Sequence, residues 1–435
     1  MKPDFIEHAF LVGVCDKKNE KVRKQFQDSM DELESLAGTV NVQVVARYSQ
    51  VLEKPNSKTY IGSGKLKEIK QHLHESDIDT LIFNDNLTPS QAKNISTVTH
   101  CNVVDRTELI LAIFAQHART NASKLQVELA QQEYNYSKLR NLWQHLSRIE
   151  GGIGMRGPGE KQLEIDRRTV QKRISILKAK LKEIERNELT KRKRREQQYT
   201  IAIAGYTNAG KSTLFNRLTK SDVFVADQLF ATLDATTRKL RLPDNHDVIL
   251  TDTIGFIKNL PHTLVSSFYA TLMEVVEADL ILHVIDFSDY RLKENIESVE
   301  EVLKEIKADK TDMIYVFNKW DAVEGVGKKF LRKQMQIKYR NSVFISAKTG
   351  ENIPDLIQLL MMHRSRMANA ITVRIPEEMD KLVAFIMRET DVIDADLDEE
   401  AKEYVLQLNA NPGILKNIRE QVDNYREKKY IMSHD

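Results

Sequence analysis

The chain has 435 residues, more than the roughly 250–300 at which a single hydrophobic core stops growing, so we expect two to four domains. Its composition, 41% hydrophobic and 29% charged, is typical of a soluble globular protein, and its apolar runs are far shorter than the ~18 residues of a membrane-spanning helix. The two cysteines, Cys15 and Cys101, exclude a disulfide scaffold and are expected to be reduced thiols in the core.

The first residues predict no secretory signal, because Met1, Lys2, Pro3 and Asp4 include an acid and open no apolar signal segment. Together with the reduced cysteines, this predicts a cytoplasmic protein. The net charge of +2 indicates no partner by itself, but its distribution does. Residues 161–196 hold 14 Lys/Arg and 6 Asp/Glu, whereas residues 377–403 hold 3 Lys/Arg and 11 Asp/Glu. Opposite charges in two segments predict two surfaces with different partners.

Residues 1–120 alternate strand-like and helix-like segments. Strands are predicted at 9–14, 42–46, 80–83 and 101–104, with helices at 20–36, 65–74 and 89–98 between them. This alternation predicts an N-terminal α/β domain with a mostly parallel sheet.

The segment Gly62-Ser63-Gly64-Lys65 opens one of these helices but lacks the full spacing of a phosphate-binding loop. An RNA phosphate or a plain turn is therefore favoured there over a second nucleotide.

Residues 121–197 follow a heptad pattern instead. Apolar or aromatic residues recur with heptad steps in two segments: Leu125, Leu129, Tyr136, Leu139, Trp143 and Leu146, then Leu163, Val170, Leu177 and Ile184. A glycine-rich stretch at 151–159 separates the segments. The pattern predicts an antiparallel coiled-coil hairpin with a glycine-rich tip. Its second helix is basic, which fits either an RNA-binding surface or an ordinary solvated face.

A phosphate-binding loop of the form GxxxxGK[ST] opens the next region, between a predicted strand at 199–204 and a helix at 212–218. Glycines let the backbone curl around phosphate oxygens, and the helix N-terminus adds free N–H groups. Lys211 is expected to contact the β- and γ-phosphates and Ser212 to bind Mg²⁺. The candidate nucleotide contacts of this loop are Gly205, Tyr206, Thr207, Asn208, Ala209, Gly210, Lys211, Ser212 and Thr213.

The base is predicted to be guanine. Asn318-Lys319-Trp320-Asp321 has the NKxD form that resembles the guanine-recognition element of translation-factor-related GTPases, and it follows a strand-like run at 313–317. A carboxylate at Asp321 can accept from guanine N1–H and the 2-amino group, whereas adenine offers neither donor. Ser346-Ala347-Lys348 stands where the second base-side loop of these proteins is expected. The chain should therefore bind GTP and GDP.

Two further segments are predicted to respond to the γ-phosphate. In Asp252-Thr253-Ile254-Gly255, Asp252 is expected to hold Mg²⁺ through water and Gly255 to sense the phosphate. In Phe230-Ala231-Thr232-Leu233-Asp234, Thr232 is predicted to close over Mg²⁺, because the Phe-x-Thr-Leu context resembles the first switch of Obg-related GTPases. Thr236 and Thr237 are the alternatives, expected to be solvated loop residues.

The residues predict slow hydrolysis by the chain alone. Phe256 follows Gly255, where many GTPases place a glutamine that orients water, and a phenylalanine cannot do so. The predicted catalytic residues are Lys211, Thr232, Gly255 and Asn208. For Asn208 two interpretations stay open: it helps to hold a K⁺ ion, as in related GTPases, or it makes ordinary loop hydrogen bonds.

Several segments outside the nucleotide motifs resemble the HflX family of ribosome-associated GTPases. They are residues 104–110, residues 126–131, and above all the glycine-rich 151–160 with Asp166, Arg167 and Arg168. The resemblance covers roughly residues 60–375. Two positions differ from the family pattern: Lys161 stands where the family often has threonine, and Ala235 stands where it often has proline. Neither difference removes a phosphate or metal ligand.

The resemblance implies binding to the large ribosomal subunit and its RNA, splitting of stalled ribosomes under stress, and hydrolysis that resets the factor. The expected architecture is an α/β P-loop GTPase, with an N-terminal α/β domain (1–120), a hairpin (121–197), a G domain (198–368) and a small α+β C-terminal domain (369–435). A monomer is expected. The alternatives are a GTPase of ribosome assembly or RNA modification, and an RNA-remodelling factor that uses both ATP and GTP.

Overall fold

The computed structural model describes residues 7–16, 20–76, 78–149, 158–192, 199–220, 229–230, 233–257, 269–324, 327–368, 371–399, 401–410 and 412–432. The chain forms two compact units. One consists of Met1–Arg241 with His246–Asn352, and the other of Leu242–Asn245 with Ile353–Asp435. The predicted α/β architecture with a P-loop GTPase domain is confirmed.

The first domain is a parallel α/β layer. Its strands are β1 (Glu7–Asp16), β2 (Val42–Leu52), β3 (Thr80–Phe83) and β4 (Asn102–Asp105), and its helices are α1 (Glu20–Thr39), α2 (Ser63–Ser76), α3 (Pro89–Thr99) and α4 (Arg106–His117). The strand order is β2-β1-β3-β4, with every pair parallel. β3 is buried along its whole length, as expected for a short apolar strand covered on both faces. Cys15 and Cys101 are buried and form no disulfide.

Capping boxes start two of these helices. Thr88 accepts from the Gln91 N–H at the start of α3, and Asp105 accepts from the Glu108 N–H at the start of α4. Each partner side chain bonds back to the cap residue's N–H, so two otherwise unpaired donors are satisfied at each helix end.

Two long helices, α5 (Asn121–Ile149) and α6 (Pro158–Arg192), form the predicted antiparallel hairpin. Leu129 of α5 packs on Leu177 and Leu181 of α6, and all three leucines are buried. Glu133 pairs with Lys178 across the hairpin, with 2.8 Å between the carboxylate oxygen and Nζ. Most of the predicted glycine-rich tip, residues 151–157, lies outside the described residues.

The base of the hairpin packs on the first domain. Lys138 of α5 lies 2.7 Å from a carboxylate oxygen of Glu108 and 3.0 Å from one of Asp105. Tyr134 donates its hydroxyl to Asp105 as well. These contacts tie α5 to the capping residues of α4.

The G domain follows with a mixed sheet. Its strands are β5 (Thr200–Gly205), β6 (Thr236–Arg241), β7 (Asp247–Asp252), β8 (Leu280–Asp286), β9 (Met313–Asn318) and β10 (Ser342–Phe344). Its helices are α7 (Lys211–Thr219), α8 (Tyr269–Val276), α9 (Leu292–Glu305), α10 (Gly327–Lys338) and a 3₁₀ turn at Trp320–Ala322. The order is β10-β9-β8-β5-β7-β6, and only β6 runs antiparallel to its neighbour among the described strands.

The strand β6 corrects one expectation. Thr236 and Thr237 are not solvated loop residues but the first residues of β6, paired with Asp252 and Thr251. Its side chains are half-buried or exposed apart from Leu240. Such a polar strand is tolerated at the edge of a sheet, which is why its composition resembled a loop.

The second unit has the α+β architecture predicted for the C-terminal domain, but its main segment begins at Ile353, whereas the sequence analysis placed residues up to 368 in the G domain. It contains α11 (Ile353–Ala368), β11 (Ile371–Pro376), α12 (Asp380–Glu389), β12 (Asp391–Asp398), β13 (Glu403–Asn409) and α13 (Pro412–Met432). The antiparallel order is β11-β13-β12. The strand β12 was not predicted, because acidic residues interrupt its apolar pattern.

Candidate nucleotide site

The phosphate-binding loop connects β5 to α7 and is shaped by two glycines. Gly205 has a φ of +155°, and a Cβ built there would lie 2.2 Å from the carbonyl oxygen of Val284 on β8. Gly210 has a φ of +91°, and its Cβ would lie 2.3 Å from Nδ2 of Asn318. Both positions exclude any side chain, so the sheet and the base-side loop press directly on this backbone.

Lys211 is buried at the first position of α7. Its Nζ donates to the carbonyl oxygen of Tyr206 at 2.8 Å, which folds the side chain over the loop. Burial lowers the pKa of Lys211 to about 8, partly opposed by the nearby Asp252 carboxylate. A Cβ built on Gly255 would lie 2.9 Å from this Nζ. The structure therefore brings together Lys211, Asp252 and Gly255, which lie more than 40 positions apart at their extremes in sequence.

Two oxygen groups of the predicted metal site meet here. Ser212 donates its hydroxyl to Oδ2 of Asp252 at 2.7 Å, and Asp252 is fully buried at the end of β7. A hydroxyl beside a buried carboxylate suits a hard cation such as Mg²⁺, which prefers oxygen ligands. The third predicted ligand, Thr232, and its neighbour Ala231 lie outside the described residues.

The remaining predicted contacts near the phosphates are partly or fully buried. Thr253 and Ile254 are buried next to Gly255, and the Thr253 hydroxyl donates to the carbonyl oxygen of Ile203 at 2.6 Å. Thr213 lies half-buried on the first turn of α7.

Asn318 joins the three loops of the site. Its Nδ2 donates to the carbonyl oxygen of Ala209 at 2.9 Å, and its Oδ1 accepts from the N–H of Ala347 at 2.9 Å. This one buried amide therefore links the phosphate-binding loop to both predicted guanine loops. Ser346 is buried, and its hydroxyl accepts from the N–H of Thr349 at 3.0 Å.

The other guanine-loop residues border this junction. Lys319 has a left-handed backbone with a φ of +59°, and its Nζ lies 2.7 Å from Oδ2 of Asp286 at the end of β8. Asp321 and Lys348 are exposed. Asp321 lies in the 3₁₀ turn that follows β9, and because its carboxylate is exposed, a ligand can reach it from the solvent.

Three residues of the first switch that were predicted to contact the nucleotide instead contact the first domain and the start of α5. Phe230 and Leu233 are buried in the core shared with the first domain, and the Phe230 ring meets Phe114 of α4 edge-to-face, with centroids 4.8 Å apart. The carboxylate of Asp234 accepts from the N–H groups of Arg119 and Thr120 at 3.0 and 3.2 Å, and from the Thr120 hydroxyl at 2.7 Å. This segment is anchored at the start of α5.

Phe256 points its side chain into the core, while its backbone pairs with the phosphate-binding loop. Its N–H donates to Gly205 at 3.1 Å and its carbonyl oxygen accepts from Thr207 at 2.8 Å. The side chain is buried and offers no polar atom. Asn208 is exposed at the tip of the loop with a φ of +59°, a geometry compatible with either interpretation of its role.

Comparison with known proteins agrees with this geometry. Residues 27–115 match the family model described as GTP-binding GTPase N-terminal, residues 117–195 the GTP-binding GTPase middle region, and residues 200–319 the 50S ribosome-binding GTPase. GTPase HflX of Flavobacterium psychrophilum is 44% identical over 80% of this chain and 88% of its own length. GTPase HflX of Magnetococcus marinus is 40% identical over 96% of this chain and 95% of its own length.

The chain belongs to the HflX family of GTPases. The expected enzyme, a GTPase that hydrolyses GTP to GDP and phosphate, is confirmed. A solved GTP-binding protein from Sulfolobus solfataricus in complex with GDP has 26% identity and a TM-score of 0.45, over 82% of this chain and 99% of that chain. Among the residues that the structure describes, no helix combines the length and apolar character needed to cross a bilayer.

This HflX-family chain also has site contacts that no motif indicated. Tyr206 of the phosphate-binding loop donates its hydroxyl to Oε2 of Glu32 on α1, at 2.6 Å. Glu32 is buried and forms an ion pair with Arg106 at the start of α4. A single sequence carries no signal for Glu32, because 174 positions separate it from Tyr206.

His283 is a second group that the motifs did not reveal. It is buried on β8, where it pairs with Ala204 of β5, one residue before Gly205. Burial, together with the nearby Lys211 charge, lowers the pKa of His283 to about 3. The imidazole is therefore neutral at physiological pH and adds no positive charge beneath the phosphate-binding loop.

Proposed function

We propose that this GTPase binds the large ribosomal subunit, separates stalled ribosomes, and is released when GTP is hydrolysed. The observation that carries the proposal is a basic helical hairpin built into the same compact unit as the GTPase site. The 50S ribosome-binding GTPase model over residues 200–319 supports the same target.

The hairpin supports RNA binding through its charge. Lys172, Lys180 and Lys182 of α6 are exposed and form no ion pair with an acid in the described part of the chain. Cations of this kind displace counterions from an RNA backbone and make affinity depend on salt. The glycine-rich tip would let main chain approach RNA closely, with Arg156 able to pair or stack.

We further propose how the site residues act on the nucleotide. Lys211 contacts the β- and γ-phosphates, the Gly255 N–H meets the γ-phosphate, and Asp321 accepts from guanine. Ser212 and Thr232 would hold Mg²⁺ directly and Asp252 through water. When bound, Mg²⁺ offsets the negative charge on the phosphate oxygens.

A partner is proposed to complete the catalytic site. The buried Phe256 cannot orient a water molecule, so we expect hydrolysis by the chain alone to be slow, on the order of 10⁻⁴ to 10⁻² s⁻¹. Contact with the subunit would supply or position the missing group. Hydrolysis would then follow docking and permit release.

The test is GTP hydrolysis with and without purified large ribosomal subunits, across a salt series. We expect strong stimulation at low salt that fades as salt rises. Unchanged hydrolysis at low salt would exclude the ribosome as the target. Replacing K⁺ by Na⁺ in the same assay separates a K⁺ site at Asn208 from ordinary loop hydrogen bonding.

Splitting is distinguished from a role in ribosome assembly by density-gradient profiles. Incubating intact ribosomes with this protein and a non-hydrolysable GTP analogue should increase free subunits at the expense of whole ribosomes. Binding to immature particles, with whole ribosomes left intact, would favour assembly instead.

A further inference from the structure

One helix of the G domain is strongly basic and lies outside the nucleotide site. Residues 327–340, which contain α10, hold six Lys/Arg and no Asp/Glu, although the whole chain has nearly equal numbers of both. Lys329, Lys333 and Arg340 are exposed, and none pairs with an acid among the described residues. The positive charge of these three side chains is therefore not neutralised by neighbouring acids in the part of the chain that the structure describes.

The inner face of α10 fixes the helix in place. Met335 and Tyr339 are buried against the core of the G domain. Lys328 lies over the Trp320 ring, with Nζ 3.9 Å from the centroid, and donates to the Trp320 carbonyl oxygen at 2.7 Å. The helix is therefore anchored on the NKxD segment, and its outer face has a defined orientation.

The outer face combines cations with an exposed aromatic ring. Phe330 is 67% exposed and Ile337 is 80% exposed. Lys329 and Lys333 are about 6 Å apart along the helix axis, and Arg340 follows two residues after the end of α10. Phe330 and Ile337 are about 10 Å apart, with Lys333 between them, so they form no continuous apolar stripe for a protein groove.

We propose that the outer face of α10, together with Arg340 just beyond its end, is a second RNA-binding surface, which takes a single-stranded or looped segment of the large-subunit RNA. Lys329, Lys333 and Arg340 contact phosphates, and Phe330 stacks on an unpaired base. The inference extends the proposed function, because the hairpin alone would already give ribosome binding. RNA bound on α10 would lie next to the predicted guanine loop, because α10 contacts Trp320 of that loop.

The test compares Lys329→Gln/Lys333→Gln/Arg340→Gln with a control that removes three exposed lysines of the same domain, Lys304→Gln/Lys307→Gln/Lys310→Gln. Binding of the full chain to intact large subunits and to their protein-free RNA is measured over a salt series. We expect the first triple variant to lower the slope of log affinity against log salt by about 2 on both targets. The control should keep the wild-type slope, and both should keep basal GTP hydrolysis.

Phe330 gives an independent readout. Phe330→Ala should weaken binding about 5- to 150-fold without changing the salt slope, whereas Phe330→Tyr should bind like the wild type. An effect on intact subunits but not on protein-free RNA would assign the surface to a ribosomal protein and overturn the inference. So would equal slopes for the two triple variants.

The two proposals can fail separately. If the wild type does not bind large subunits, the proposed function fails, and the comparison on protein-free RNA still decides the role of α10. If the wild type binds subunits but the α10 triple variant matches the control, only the second surface is excluded.

Discussion

At the residue scale, the side chain of Asn318 explains why motifs distant in sequence act as one site. Its amide bonds to Ala209 in the phosphate-binding loop and to Ala347 in the second guanine loop. Removing it would leave a buried donor and a buried acceptor without partners, which costs about 1–3 kcal/mol each. Asn318 therefore holds the three loops together, whereas Asp321 is the residue proposed to bind the base.

Base choice is tested at Asp321. Asp321→Asn replaces one acceptor oxygen by an amide donor, which faces the 2-amino group of guanine donor to donor. We expect GTP affinity to fall on the order of 10⁴-fold. Xanthosine triphosphate should bind better than GTP, because its 2-oxo group can accept from the amide.

The measurement is titration of both nucleotides against the folded variant. The control is Glu324→Gln, which removes an exposed carboxylate three residues away. Loss of GTP binding in both variants would point to a general charge effect rather than base reading.

At the element scale, the N-terminal end of α5 is stabilised by a residue from the G domain. Asp234 accepts from the N–H groups of Arg119 and Thr120, the two residues just before α5, and so places a negative charge at the N-terminal end of that helix. Burial raises the pKa of Asp234, but hydrogen bonds from Thr120, Ser123 and the N–H of Arg119 bring it below its usual range. The carboxylate is therefore charged at neutral pH, and a segment two residues from Thr232 is connected to the hairpin.

Asp234→Ala should loosen the start of α5. Loss of a helix-capping acceptor costs about 0.5–2 kcal/mol, so amide exchange at Arg119 and Thr120 should speed up about 2- to 30-fold. Hydrogen exchange resolved by peptide measures this. The comparison variant is Asp247→Ala, which removes an ion pair with the exposed Lys239 and should leave α5 unchanged. Unaltered exchange at α5 in Asp234→Ala would contradict the role of this contact.

At the scale of the whole molecule, the first domain forms one wall of the nucleotide site. The hydroxyl of Tyr206 reaches Glu32, and Glu32 reaches Arg106, so the phosphate-binding loop is connected to α1 and α4. The G domain and the first domain also share one hydrophobic core, which includes Phe114, Phe230 and Phe256. We therefore expect a change in the loop to be transmitted to α1 and α4.

Tyr206→Phe tests this connection. It leaves one oxygen of the buried Glu32 without its donor, at a cost of about 1–3 kcal/mol. We expect GTP to protect α1 from hydrogen exchange in the wild type, and this protection to be lost in the variant. Tyr315→Phe is the matched control, since Tyr315 donates to Glu300 at 2.9 Å within the G domain. Equal protection of α1 in both variants would exclude the connection.

The sequence by itself determined that the chain is a GTPase, because the motifs that indicate this activity are local. A glycine-rich turn, a following lysine and serine, and an NKxD segment after an apolar strand each express their role within a few residues. The heptad spacing determined the hairpin for the same reason, since its period of seven is a local property. The edge strand β6 and the acidic β12 were missed because neighbouring strands stabilise them more than their own composition does.

Only the tertiary structure decided where the first-switch segment is anchored and what the P-loop tyrosine contacts. Asp234 meets Thr120 across 114 positions and Tyr206 meets Glu32 across 174. Such contacts depend on how two domains pack, and packing is the sum of many weak contacts that no short motif records. Residue type and spacing thus determined what the site can bind, whereas the fold decided what the site is connected to.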